Sequence, residues 1–327
     1  MRWLITGGCG FIGSSLIARL QAEGGHAIRV LDNHSVGSLE DLARVADCQA
    51  DESDTLAAPQ AGGPAQVVRG DIRKLPDCLR AAAGVDVIVH LAANTGVIPS
   101  IEAPLVDCET NVLGIVNVLE AARAHGVKRF VFASSGAPLG DQTPPIHEEK
   151  VPRPVSPYGA SKLAGEAYCS AYHASFGVQT VALRFGNVYG PGSIHKGSVV
   201  AKFIKQALAG ETLVIYGDGS QTRDFVYIGD LVDALVRAAA AERGGEVFQI
   251  ASGGETTVNE ISEVLATELA KHGVEAKLEY ADARAGEVVR NYSDISKARD
   301  VLGWQPQHDL ATGLAKTVAW FLGRRAQ

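Results

Sequence analysis

A glycine loop set between a short apolar run and a helical pattern, at the very start of the chain, admits few folds. Residues 2–6 have the length and apolar character of a buried strand. Thr6-Gly7-Gly8-Cys9-Gly10-Phe11-Ile12-Gly13 follows, and residues 11–22 then carry apolar side chains at helical period until Gly24-Gly25 stops them. Gly7, Gly10 and Gly13 lack side chains, so the backbone can turn tightly and approach a pyrophosphate. The helix behind them presents N–H groups and the positive end of its dipole. Residues 27–31 read as a second strand ending at Asp32. That carboxylate stands about 20 residues beyond the loop, where it can accept hydrogen bonds from both hydroxyls of a ribose and repel a 2′-phosphate, which favours NAD over NADP.

Further strand-like runs fall at 66–68, 85–91, 129–134 and 179–185, with helical patterns at 112–125 and 161–176. Strands alternating with helices specify an α/β fold of the Rossmann type, a doubly wound parallel sheet. Residues 46–65 lose this pattern to Asp, Ala, Gly, Pro and Gln and read as a surface insertion. Beyond Phe185 the alternation fades. Helical segments at 199–208, 230–241, 258–271 and 296–302, broken by glycine and proline turns, suggest a smaller mixed α/β substrate domain.

Composition removes whole classes of function. The 327 residues are 46% hydrophobic and 20% charged, with a net charge of −7 and no basic run, so the electrostatic footprint of a nucleic-acid binder is missing. The five cysteines are scattered without the paired short spacing of a zinc or redox site. They read as reduced thiols, with no metal expected. Met1 leads directly into the first strand, and no apolar stretch is long enough to span a bilayer, so a cytoplasmic protein away from membranes is expected.

Chemistry enters with Ser156-Pro157-Tyr158-Gly159-Ala160-Ser161-Lys162. A tyrosine and a lysine at i and i+4 share one helix face, where the ammonium is expected to lower the phenol's pKa and make it a usable base. Ser134-Ser135 ends the apolar strand Phe130-Val131-Phe132-Ala133, placing a hydroxyl at the carboxyl end of a sheet strand, where open α/β sheets bind ligands. Glycine loop, acidic strand end, terminal serines and then Tyr and Lys on the next helix together predict nicotinamide redox chemistry on an alcohol.

In that order of motifs the chain resembles the extended short-chain dehydrogenase/reductase family, and within it the sugar-nucleotide epimerases and dehydratases. The resemblance implies that Tyr158 is the base, that Lys162 holds the nicotinamide ribose, and that Ser135 orients the sugar's 4-hydroxyl. It implies NAD contacts from Gly7, Gly10, Phe11, Ile12, Gly13, Asp32 and Asn33, from Asp71 and Ile72 on the adenine side, from Leu91, Ala92 and Ala93, and from Asn111, Ala133 and Phe185. For a UDP-sugar it implies Thr95, Ser134, Asn187, Val200, Tyr216, the diphosphate-binding Arg223 and Arg284, and Glu287. It further implies an NAD-binding domain over 1–185 with a return segment near 222–252, a sugar-nucleotide domain over 186–221 and 253–327, and a homodimer whose subunits pair helices 112–125 and 161–176 into a four-helix bundle.

Dehydratases of this family place a carboxylate directly after the serine or threonine; here Gly136 and Ala137 follow. Elimination of water then lacks its proton carriers, whereas oxidation and re-reduction at carbon 4 of a UDP-hexose needs only Tyr158 and NAD. Relatives carry a bulkier stretch where this chain has Gly136-Ala137-Pro138-Leu139-Gly140, which leaves the hexose open between glucose, N-acetylhexosamine and glucuronate. His195 and Lys196 read either as a solvated loop pair or as a contact for a uronate carboxylate. Two other classes stay open: a reductase of 4-keto sugar nucleotides, and a binding protein that kept the fold without the catalysis.

Overall fold

The structure, a computed structural model, describes residues 1–283 and 289–325. In chain order its elements are β1 (Arg2–Thr6), α1 (Phe11–Glu23), β2 (Ala27–Asp32), α2 (Leu39–Ala43), β3 (Cys48–Ala50), β4 (Ala65–Arg69), α3 (Leu75–Ala82), β5 (Val87–His90), α4 (Val97–Glu102), α5 (Pro104–Cys108), α6 (Gly114–Ala124), β6 (Arg129–Ser135), α7 (Pro157–Phe176), β7 (Gln179–Phe185), β8 (Asn187–Tyr189), α8 (Val199–Leu208), β9 (Leu213–Tyr216), β10 (Thr222–Arg223), β11 (Phe225–Tyr227), α9 (Ile228–Ala240), β12 (Glu246–Ile250), β13 (Thr256–Thr257), α10 (Val258–Ala270), β14 (Leu278–Ala281), α11 (Ser296–Leu302) and α12 (Leu310–Arg325). A π-helical turn, Glu109–Leu113, joins α5 to α6. The chain forms two compact units: Met1–Asp141 with Glu148–Arg184 and Val232–Phe248, and Gln142–His147 with Phe185–Leu231 and the described part of Gln249–Gln327.

The large sheet has eight strands in the order β12-β7-β6-β5-β1-β2-β4-β3. The pairings of β1 with β2 and β5, of β4 with β2 and β3, and of β5 with β6 are all parallel. This is the Rossmann-type doubly wound arrangement, and its order reverses between β1 and β5, the point where such sheets open a crevice for ligands. Every residue of β2 is buried, as expected of a strand covered by helices on both faces. On one face Leu4, Leu31, Ile88, Phe130 and Phe132 pack with Ala81, Ile115, Leu119, Cys169 and Tyr172 of α3, α6 and α7. Each such large apolar side chain contributes about 1.5–3 kcal/mol.

Helix α7 carries the predicted chemistry, and its start and stop are written locally. Ser156 caps it by accepting from Gly159 N–H, Pro157 fills the first turn, and Gly177 ends it in the left-handed region. A Cβ on Gly165 would come within 2.5 Å of the Phe132 ring, so the glycine is what lets α7 lie close against β6.

In the second unit β8 pairs with β11 and β9 with β14 in parallel, while β10 and β13 run antiparallel. A capping box of Thr257 and Glu260 starts α10. Trp304 is fully buried and donates Nε1–H to the Asp230 carbonyl at 2.9 Å.

The insertion is not wholly irregular. Its Cys48–Ala50 segment adds β3 to the sheet edge by pairing with β4. Arg29, fully buried in β2, pins the rest by donating to the carbonyls of Ala57, Ala81 and Ala83 and to the Gln66 side chain. Burial lowers this guanidinium's pKa to about 10. Helix α12, not anticipated above, buries Leu314, Val318 and Phe321 at helical spacing.

Candidate active site

The predicted nucleotide loop lies between the carboxyl end of β1 and α1. Gly7 has φ 71, and a Cβ there would lie 2.8 Å from the Ala92 backbone nitrogen; one on Gly13 would lie 2.5 Å from Gly7 O and Gly8 Cα. Neither neighbour is a side chain that can yield, so both positions need glycine. Gly10, the N-cap of α1, supplies no side-chain acceptor, which suits an anion there. Phe11 and Ile12 are half-buried in the first turn.

Asp32 is 8% exposed, and its two carboxylate oxygens accept from Cys9 N–H at 2.9 Å and His34 N–H at 2.8 Å. It ties the glycine loop to the end of β2 while each oxygen retains acceptor capacity. Asn33 beside it is exposed. Asp71 takes a bidentate bond from Arg73, which brings its carboxyl down to about 2; Ile72 is buried in the core.

On the other side of the switch point, Thr6 Oγ1 bonds His90 Nδ1 at 2.8 Å and receives Ala92 N–H at 3.2 Å. Burial lowers His90 to about 3, so its ring is neutral. Leu91, Ala92 and Ala93 are half-buried and Thr95 is exposed. Asn111 is fully engaged: it exchanges bonds with the Asn94 backbone and donates to Asp107 and Ser161. It therefore fixes the segment after β5 against α7.

Ser135, Tyr158 and Lys162 converge at the end of β6. A hydrogen bond with Ser135 lowers the Tyr158 pKa, but burial acts more strongly and the net shift is upward, with Asp107 adding to it. The expected pull of Lys162 on the phenol is not observed. Its Nζ donates to the Ala133 carbonyl at 2.8 Å and stands 5.8 Å from the Tyr158 ring centroid. Burial lowers Lys162 to about 8, opposed by Asp107 and Glu166.

The serine pair divides. Adjacent strand residues point to opposite faces, and Ser134 is buried with its hydroxyl donating to Glu166 at 2.5 Å. Ser134's hydroxyl is thus taken up by Glu166, and Ser135 is the more open of the two. Glu166 also takes a bidentate bond from buried Arg184. Glu166 escaped the sequence reading, although Tyr158, Lys162 and Glu166 repeat at i, i+4 and i+8 along one helix face.

In the second unit Phe185 is half-buried, Asn187 is exposed and Val200 is buried. Tyr216 ends β9 with Lys202 Nζ 5.7 Å from its ring centroid. Arg223 is half-buried on β10 and donates to the Thr222 carbonyl at 2.7 Å. Arg284 and Glu287 lie outside the described residues.

A doubly wound sheet with a glycine loop and an acidic strand end at its switch point, and a Ser-Tyr-Lys group on the neighbouring strand and helix, defines a short-chain dehydrogenase/reductase fold and site. Residues 3–251 match the NAD dependent epimerase/dehydratase family, and the chain belongs to that family, whose cofactor is NAD. It is 40% identical over 325 residues to a UDP-glucose 4-epimerase of Mycolicibacterium smegmatis, covering 98% of each chain. It is 36% identical over 238 residues to a UDP-glucuronate 4-epimerase of Thermodesulfobacterium geofontis, covering 72% of each. The crystal structure of a UDP-glucose 4-epimerase with UDP-glucose from Thermotoga maritima superposes with a TM-score of 0.87 at 34% identity, covering 99% of this chain and 100% of that one.

Proposed function

We propose that the chain inverts carbon 4 of a UDP-hexose, of the glucose/galactose or glucuronate/galacturonate type, by transient oxidation to the 4-keto sugar. The observation that carries this reading is the group at the end of β6. Ser135 and Tyr158 are hydrogen-bonded, Lys162 stands behind them, and Gly136 follows, where an added Cβ would meet nothing within 4 Å. No carboxylate follows the serine, so the acid and base that elimination requires are missing from that position.

The cradle of Gly7, Gly10 and Gly13 with Asp32 fits a dinucleotide, and NAD held there supplies a hydride acceptor and later a donor. Ser135 Oγ orients the 4-hydroxyl. Tyr158 takes its proton as the 4-keto sugar forms and returns it after the sugar turns over about its diphosphate link. Lys162, with Asn111 locking the facing segment, holds the ribose and keeps the phenol in place. To the second unit we assign contacts with the sugar nucleotide, through Asn187, Val200, Tyr216 and Arg223, whose fork suits a diphosphate.

The test is incubation of the purified protein, without added cofactor, with UDP-glucose, UDP-N-acetylglucosamine and UDP-glucuronate separately, following the 4-inverted product by NMR. Turnover should appear with at least one sugar and fall by roughly 10²–10⁴-fold in Tyr158→Phe, with dinucleotide content unchanged. Net NADH consumption on a 4-keto sugar would favour the reductase reading, and a 4-keto-6-deoxy product the dehydratase. Normal turnover in Tyr158→Phe would remove the assigned base.

A further inference from the structure

We propose, on the reading of Tyr158 as the base, that Glu166 is a positioning residue of this site: held by Arg184, it fixes Ser134 and so aims the next residue, Ser135, at the phenol. Three consecutive residues of β6 each bond a different side chain of α7. The Ala133 carbonyl accepts from Lys162 Nζ at 2.8 Å, the Ser134 hydroxyl donates to Glu166 at 2.5 Å, and Ser135 is hydrogen-bonded to Tyr158. Tyr158, Lys162 and Glu166 follow one another at four-residue steps, so a single stripe of the helix grips the strand end residue by residue. That strand end needs the support. On its β5 side the ladder stops at the pairing of Phe132 with His90, and beyond Ser135 comes Gly136, where an added Cβ would meet nothing within 4 Å.

Stability does not account for the group. Glu166 and Arg184 are both buried. Arg184 gives Nε and Nη2 to the carboxylate at 2.8 and 2.7 Å, while its buried Nη1 has no hydrogen-bond partner. Desolvating such a pair costs so much that apolar residues of similar volume are often as stable in its place, or more so. What an apolar pair could not provide is an acceptor for Ser134 and a fixed anion one turn beyond Lys162. Neighbouring strand residues point to opposite faces, so a Ser134 anchored behind the strand keeps Ser135 turned toward the phenol. The Glu166 charge also helps hold a proton on Lys162 against burial, together with Asp107 of α5. Neutral His90 of β5 and the Phe132 ring of β6, 4.9 Å from Nζ, also stand beside the ammonium.

The test compares Ser134→Ala, which spares the ion pair, with the triple change Ser134→Ala, Glu166→Met and Arg184→Met, which removes all three polar groups. Thr180→Val is the control, because it deletes another buried tie between β7 and α7, the Thr180 hydroxyl bond to the Cys169 carbonyl at 2.7 Å. Melting point, kcat and KM are measured on the full chain as a function of pH. We expect kcat to fall by about tenfold to hundredfold in Ser134→Ala and in the triple variant, as misplacing a reacting group does, with KM little changed. The triple variant should melt no lower than the parent. The Ser135 bond lowers the Tyr158 pKa, so loosening it should move the acid limb of the kcat profile upward in both. Loss of the Glu166 charge should in addition move the alkaline limb downward in the triple variant. Thr180→Val should lower the melting point and leave kcat and both limbs in place. Fluorotyrosine at position 158, followed by fluorine NMR, reads the phenol without turnover, and its titration should move upward in both Ser134 variants. Parental kcat, limbs and fluorine titration in Ser134→Ala overturn the positioning role, as does a loss of kcat that follows the melting point alone; the triple variant decides should Ser134→Ala fold poorly. A parent that inverts no sugar would instead remove the epimerase reading, and the fluorine titration would still decide the part played by Glu166.

Discussion

Lys162 shows how the site sets stability against activity. Its pKa in the folded chain, about 8 against 10.5 for the free side chain, means that at neutral pH folding buries a charge at a cost of about 3 kcal/mol, taking 1.36 kcal/mol per unit. The unfolded chain holds the proton up to 10.5 while the folded chain loses it near 8, so this cost is full below pH 8 and is relieved as pH rises to 10.5. Replacing the side chain also leaves the Ala133 carbonyl unpaired, which costs about 1–3 kcal/mol; the charge term is the larger. Lys162→Met should therefore melt higher than the parent at pH 7, with the advantage fading by pH 10.5, while losing activity. Thermal melts of nucleotide-free protein at the two pH values check this, and a lower melting point at pH 7 would contradict it. The Tyr158–Lys162 pair itself was legible from an i, i+4 spacing. What the spacing did not carry is which force acts on the phenol: burial is a tertiary fact, and with Asp107 it outweighs the Ser135 hydrogen bond and turns the shift upward.

Among the elements, α1 and α7 were readable because their signals are local: a glycine loop and Gly24 for one, Ser156, Pro157 and Gly177 for the other. The insertion was not, because β3 exists only through pairing with β4, and its anchor, Arg29, sits in a strand that otherwise reads as apolar. A lone arginine in such a run gives no hint of which carbonyls it meets. Arg29→Met removes the donor to three backbone carbonyls, two of them from the end of α3 and one from the insertion. It should destabilise the protein by about 3 kcal/mol. Limited proteolysis should cut first between residues 51 and 64, and resistance of that segment would show that Arg29 does not anchor it. In the site, the Ser134–Glu166–Arg184 group was missed for a related reason: strand alternation decides which serine faces a ligand, and Glu166 declares its role only once β7 brings Arg184 beside it.

For the whole molecule, the surface of the first unit suggests company. Ile98, Ile101 and Leu105 on α4 and α5 are 59–78% exposed, and Leu113 and Tyr168 nearly half so. Helices α4 and α5 both pack on α7, so these apolar side chains belong to one helical layer. The homodimer expected from the pairing of helices 112–125 and 161–176 would cover this layer with a second copy of the chain. Sedimentation should report a dimer, and Leu105→Glu with Tyr168→Glu a folded monomer; a monomeric parent would end that reading. No helix among the described residues is long and apolar enough to cross a membrane, so a bilayer-spanning helix is not what these side chains serve. The short outermost strand has a consequence of its own. Three residues of β3 shield part of the five-residue β4, and an open strand rim is a template for stray pairing between chains. Trimming 46–63 to shorten the chain would bare that rim, and the shortened protein should precipitate during expression even with Ser135, Tyr158 and Lys162 untouched.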